Sequence, residues 1–115
     1  MTITTQTLKN AAFAIEHDLW TDSDGANYLV KDGAILRRWE PETSSADAFE
    51  LAVKLRLSME LYCGEAVIYF DDTTGGEGRL VQDDGDEGVL SDVELTRIAI
   101  VRAAAIIGES LKCQS

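Results

Sequence analysis

Basic residues are almost missing from one long stretch of this 115-residue chain: between positions 60 and 94 there is a single one, Arg79. Arg37-Arg38 is the one basic doublet, so the interleaved bases and aromatics of a nucleic-acid platform are absent and direct nucleic-acid binding is not expected. Histidine occurs once, as His17 between Glu16 and Asp18, and reads as a surface or helix-end residue. A nucleophilic pair of His17 with Cys63 would need a tertiary proximity that spacing does not supply. The two cysteines, Cys63 and Cys113, have no recognisable disulfide framework and read as free thiols of a reducing compartment. No apolar run approaches the roughly 20 residues of a bilayer span, and the longest candidate, Ile98 to Ile107, is broken by Arg102. A secretory signal is not visible at Met1–Thr5, Thr2 cannot be myristoylated, and Cys113 does not match a prenylation box. A cytoplasmic protein with no membrane association is expected.

Site chemistry is equally sparse. Neither Asp22-x-Asp24-Gly25 nor Asp83-Asp84-Gly85-Asp86-Glu87 supplies the alternating oxygens, central glycine and terminal glutamate that wrap a calcium ion, so solvated turns are expected and no metal. Gly75-Gly76-Glu77-Gly78 lacks a lysine and a following helix start, and Glu77 would repel phosphate. Carboxylates are too abundant for any chosen pair to indicate acid–base catalysis. No cofactor and no enzymatic activity are expected.

What the chain does have is acid, unevenly placed. Its formal net charge is −11. Residues 60–94 hold eleven acids against Arg79, whereas the rest of the chain holds ten acids and nine bases. Such a field favours cationic partners and repels nucleic acid and anionic membrane.

The length fits one domain, residues 1–115. Leu8, Ala11, Ala12, Ile15 and Leu19 form the stripe of a helix over Thr5–Leu19, capped by Thr4 or Thr5. Tyr28–Lys31 and Ala34–Arg37 flank Asp32-Gly33, the signature of a hairpin with a type I′ turn. Ser44 and Asp47 open a helix over Ala46–Tyr62, ended by Gly64. Ala66–Phe70 reads as a buried strand, returning after a glycine-rich loop through Arg79–Gln82. Ser91 and Glu94 form a capping box for a last, most apolar helix reaching about Lys112. The order α-β-β-α-β-β-α predicts an α+β fold, an antiparallel sheet of two hairpins packed with three helices. No repeat of fixed period is seen, although helix plus hairpin occurs twice.

The runs Trp39-Glu40-Pro41, Asp47-Ala48-Phe49-Glu50-Leu51-Ala52-Val53-Lys54-Leu55 and Thr96-Arg97-Ile98-Ala99-Ile100-Val101-Arg102-Ala103-Ala104-Ala105-Ile106-Ile107-Gly108 resemble a set of small phage and prophage proteins of the phage ABA-sandwich type. The resemblance covers residues 39–55 and 96–108 and implies ancestry and fold; that family carries no general activity to transfer.

The functional expectation is a phage-encoded binding protein that offers Asp71, Asp72, Glu77, Asp83, Asp84, Asp86 and Glu87 to a basic host protein in the host cytoplasm, with Trp39 beside Pro41 as a candidate anchor for which core packing is the default alternative. A nucleic-acid-binding complex such as a CRISPR effector is one such target, since carboxylates can occupy a groove built for phosphates. The alternative is a structural or homo-oligomeric phage accessory protein, a homodimer for example, whose acidic hairpin only solubilises it. A third reading, small-ligand binding or a minor hydrolase, requires a defined pocket with convergent polar groups that the sequence does not reveal.

Overall fold

The computed structural model describes residues 3–71, 77–83 and 91–113. Helix α1 spans Thr5–Ala14, followed by strands β1 (Asp18–Thr21), β2 (Asn27–Lys31) and β3 (Ala34–Arg38). Helix α2 (Ser45–Lys54) leads into β4 (Ser58–Tyr62), β5 (Glu65–Asp71) and β6 (Glu77–Asp83), and helix α3 (Asp92–Cys113) closes the described chain. The fold is α+β. It has two three-stranded antiparallel sheets, ordered β1-β2-β3 and β4-β5-β6.

Both expected hairpins form. Asp32 and Gly33 take the positive φ values, 53° and 81°, that the β2–β3 turn demands. In each sheet, however, a strand precedes the hairpin, where helix was expected as far as Leu19 and Tyr62. The reason is a pair of helix stops built without glycine. Glu16 turns left-handed at φ 64°, its amide donates to the Phe13 carbonyl at 3.0 Å, and His17 donates to Ala12 at 3.0 Å. Arg56 does the same at φ 54°, with Arg56 donating to Val53 at 3.2 Å and Leu57 to Ala52 at 3.0 Å. Both sets are the paired bonds of a Schellman motif, which usually places glycine at the left-handed position. Leu19 and Leu57 then pack on the core from extended chain, so the apolar stripe outlives the helix.

The two helix-plus-three-strand units are in step where each begins. Capping Thr4 and Ser44, core Ala12 and Ala52, and left-handed Glu16 and Arg56 each lie forty positions apart, the 44 minus 4 of the caps. After the first strand the spacing is lost, since β2 starts at 27 and β5 at 65. The forty-residue correspondence is confined to one helix, its stop and the start of the next strand, at 18 and 58.

Helix α3 is the shared core. It buries Leu95, Ile98, Ala99, Ile100, Val101, Ala103, Ala104, Ala105, Ile107 and Gly108, and packs against α1, α2, β5 and β6. The Ser91–Glu94 box caps it as expected, with Glu94 donating to Ser91 Oγ at 3.1 Å and Ser91 donating to Glu94 Oε1 at 3.3 Å. Its one charge within the apolar run, Arg102, donates to the amide oxygen of Gln82, which is buried on the inner side of β6. The α1–α3 crossing is closest at Gly108, where a Cβ would overlap the Asn10 carbonyl oxygen.

Trp39 corrects an expectation. It is 1% exposed and stands in the core with Pro41, its amide donating to the Asn27 carbonyl at 2.8 Å, so it offers no surface to a partner. The connection from β3 to α2 is then tied by polar groups. Arg37 pairs with Asp47 at 2.7 Å, Asp47 accepts from the Glu40 amide at 2.8 Å, and Asn27 donates to both Glu40 oxygens at 3.1 and 3.3 Å. Burial opposes ionisation of Glu40, but Glu42 and the Asn27 bonds outweigh it and hold that carboxyl below its usual range. Burial, and then the adjacent Glu40, push Glu42 up to about 7.

Two outcomes follow from this packing. Gly108→Ala forces two helix backbones apart and is expected to lower stability by about 2 kcal/mol or more, read from the urea midpoint. Because Glu42 binds its proton more tightly folded than unfolded, its contribution is full below about pH 4.5 and is lost as pH rises towards 7. Glu42→Gln therefore removes a fall in stability between pH 5 and pH 8, measured as the difference in denaturation midpoint between those two pH values.

Candidate acidic sheet face and apolar groove

Strand alternation divides sheet β4-β5-β6 into two chemically distinct faces. On β5, Ala66, Ile68 and Phe70 point inward and are buried, while Glu65, Val67, Tyr69 and Asp71 take the other side, where Val67, flanked by Glu60 and Val81, is also buried at 2% exposure. The register aligns Met59 with Ile68 and Leu61 with Ala66, so these β4 side chains also belong to the inner face. It aligns Glu60 with Val67 and Tyr62 with Glu65, which puts them on the outer face. From β6, Arg79 joins that outer face beside Tyr69, and Glu77 beside Asp71. On the inner side Phe70 lies across Gly78, where a Cβ would overlap its ring.

The outer face thus gathers Glu60, Glu65, Asp71 and Glu77 around one base, Arg79. No helix packs on it among the described residues. Tyr62 donates a hydrogen bond to Glu60, and Tyr62 and then Tyr69 hold the Glu60 carboxyl below its usual range. Glu60 is therefore charged at neutral pH. Asp71 and Glu77 are directly opposed across the ladder, and the register sets Glu65 opposite Asp83 at its other end. Like charges opposed as Asp71 and Glu77 are destabilise a sheet.

Of the acids expected at a partner surface, Asp71 and Glu77 are brought together on this face, and Asp83 occupies the register position at the end of β6. Asp72, Asp84, Asp86 and Glu87 lie outside the described residues. Glu60 and Glu65 join the face through strand pairing, although the sequence placed Glu60 inside a helix.

The inner face is closed by helix over only part of its width. Helix α3 covers β5 and β6, leaving β4 uncovered: Met59 is 39% exposed and Leu61 59%. Across from them stand Phe49 of α2, 67% exposed, and Val93 of α3, 56% exposed. Between these walls runs an apolar groove of about 570 Å³, floored by Ala48 and Ile100. Arg97, at its side, holds α3 to α2 by donating to the Glu42 carbonyl at 3.2 Å and to Ser45 Oγ at 2.9 Å. Asp92 braces one end by accepting from the Gly64 amide at 3.1 Å. Sequence spacing does not mark this groove, because Met59 and Leu61 fall within the expected helix over Ala46–Tyr62 and join its wall only as residues of β4.

Other expected features fall elsewhere. Asp22 Oδ1 accepts from the Asp24 and Ala26 amides, both at 2.9 Å, and thus serves its own turn. His17 lines a depression beside Phe13 and Lys112, whereas Cys63 borders the apolar groove, so the two are not assembled as a pair. Both cysteines are exposed and free. No group of metal-binding side chains occurs among the described residues, and no described helix is long and apolar enough to cross a membrane.

The facing acids make a direct prediction: Glu77→Lys replaces a repulsive cross-strand pair with an attractive one and is expected to raise stability by about 0.2–1 kcal/mol, an effect that shrinks as salt rises. Thermal denaturation at two salt concentrations checks it. Comparison with protein-family models, curated proteins and solved structures found no match, so these two surfaces are read from their own residues.

Proposed function

We propose that this chain is a binding protein without catalytic chemistry, which engages a basic protein surface through the open face of β4-β5-β6. The observation that carries this reading is the gathering of Glu60, Glu65, Asp71 and Glu77 onto one face whose three strands carry a single base, Arg79, with Arg56 beside Asp71 and Glu77 at one end. A face that only solubilises the protein is ordinarily of mixed sign, and direct opposition of Asp71 and Glu77 works against the ladder that holds them. Glu65 and Asp71 are six residues apart on β5, about 20 Å at about 3.3 Å per residue, so the acids span a surface of interface dimensions.

Proteins that bind nucleic acids present suitable cationic grooves, and a nucleic-acid-binding host complex in the host cytoplasm is the proposed partner. Titration of the protein against a panel of cationic nucleic-acid-binding proteins tests the reading. Binding is expected to weaken steeply between about 0.1 M and about 1 M salt, where the screening length falls from about 10 Å to about 3 Å. The triple reversal Glu60→Lys, Asp71→Lys and Glu77→Lys should abolish it; retained affinity in that variant overturns the proposal.

The exposed Phe49, Met59, Leu61 and Val93 favour a second reading, a homo-oligomer joined through the groove. Light scattering on dilute protein separates the two, since such an oligomer would survive high salt.

A further inference from the structure

Strand β4 differs from the other described strands of its sheet in leaving every residue exposed. One edge pairs with β5. Among the described residues no strand pairs with the other, so that edge presents backbone donors and acceptors to solvent. In the first unit α1 rests on the corresponding strand β1, whereas α2 stands away from β4, and the space between is the apolar groove. One side of β4 therefore faces an uncovered apolar slot and the other continues the acidic face.

Resting on the reading of that face as a docking surface for basic proteins, we propose that β4 accepts an extended peptide segment of alternating apolar and basic residues as a fourth strand. Successive side chains of a strand point to opposite sides, so the added strand would send its apolar set into the groove beside Met59, Leu61 and Phe49. Its basic set would lie next to Glu60 on the outer face. Arg56 stands before one end of β4 beside Asp71 and Glu77, while Glu65 and Asp92 lie near the other, at Tyr62 and Gly64. Charge complementarity is thus supplied along the strand, by Glu60 at its centre, Glu65 at the Tyr62 end and Asp71 with Glu77 at the Ser58 end. A second copy is a poor occupant: an antiparallel pairing about a two-fold at Glu60 brings Glu60 against its equivalent, between chains that each carry −11.

The test uses the full chain and capped synthetic peptides of about ten residues, the upper range of a strand. One alternates lysine with valine. A second has the same composition in two blocks. Two further versions of the alternating peptide are N-methylated either at every valine or at every lysine, which blocks the donors of one strand edge or the other. Fluorescence anisotropy at low salt is expected to show the alternating peptide binding about tenfold tighter than the block peptide. One N-methylated version should retain binding and the other lose it, and amide exchange should slow over residues 58–62. Leu61→Lys and Glu60→Lys, both at exposed positions, should each weaken binding about tenfold with unchanged far-ultraviolet circular dichroism.

Equal affinity of the alternating and block peptides, or of the two N-methylated versions, overturns strand addition while leaving the electrostatic reading intact. A peptide that becomes helical when bound, or a dimer dissolved by Leu61→Lys, likewise overturns it by assigning the groove to another occupant. Failure of every cationic peptide to bind at low salt overturns both proposals.

Discussion

The crossing of α1 and α3 at Gly108 is the contact on which the remaining architecture depends. Helix α3 can be buried around most of its circumference because small residues, Ala99, Ala103, Ala104 and Gly108, let neighbours approach closely. With α1 seated on its C-terminal half, α3 has its other sides free for α2 and for β5 and β6. One helix thereby packs on the helix of the first unit and on the helix and two strands of the second.

That economy has a consequence for the second unit. A single helix is too narrow to cover three strands, and α3 is spent on β5 and β6. Helix α2 is held instead by the polar ties of its N-terminus, Arg37 to Asp47 and Arg97 to Ser45, which fix it beside α3 and away from β4. Strand β4 is left with two open faces. The apolar groove and the acidic face are thus two sides of the same strand, and both trace to which elements α3 reaches.

The chain also tolerates local costs that packing over-determines. Glu16 and Arg56 occupy left-handed backbone conformations without being glycine, and Glu42 is placed where its charge is disfavoured beside Glu40. Each sits at a junction where a helix enters or leaves a sheet. There the hydrogen bonds of neighbouring residues hold the chain in place.

Local chemistry determined a good deal by itself. The Asp32-Gly33 turn, the Thr4, Ser44 and Ser91 caps, the Ala66–Phe70 strand and the α+β class follow from side chains acting within a few residues of one another, and all are present. The excess of acid between positions 60 and 94 was equally plain. Strands β1 and β4 were not, because Leu19 and Leu57 continue a helical stripe while the Schellman stops ahead of them lack the glycine that would announce them. Nor could composition tell that Trp39 is core or that Phe49 is exposed, since both depend on how elements distant in sequence pack. Which acids share a face was decided by the register of β4, β5 and β6. Pairing between strands, unlike a cap or a turn, is a contact between distant parts of the chain.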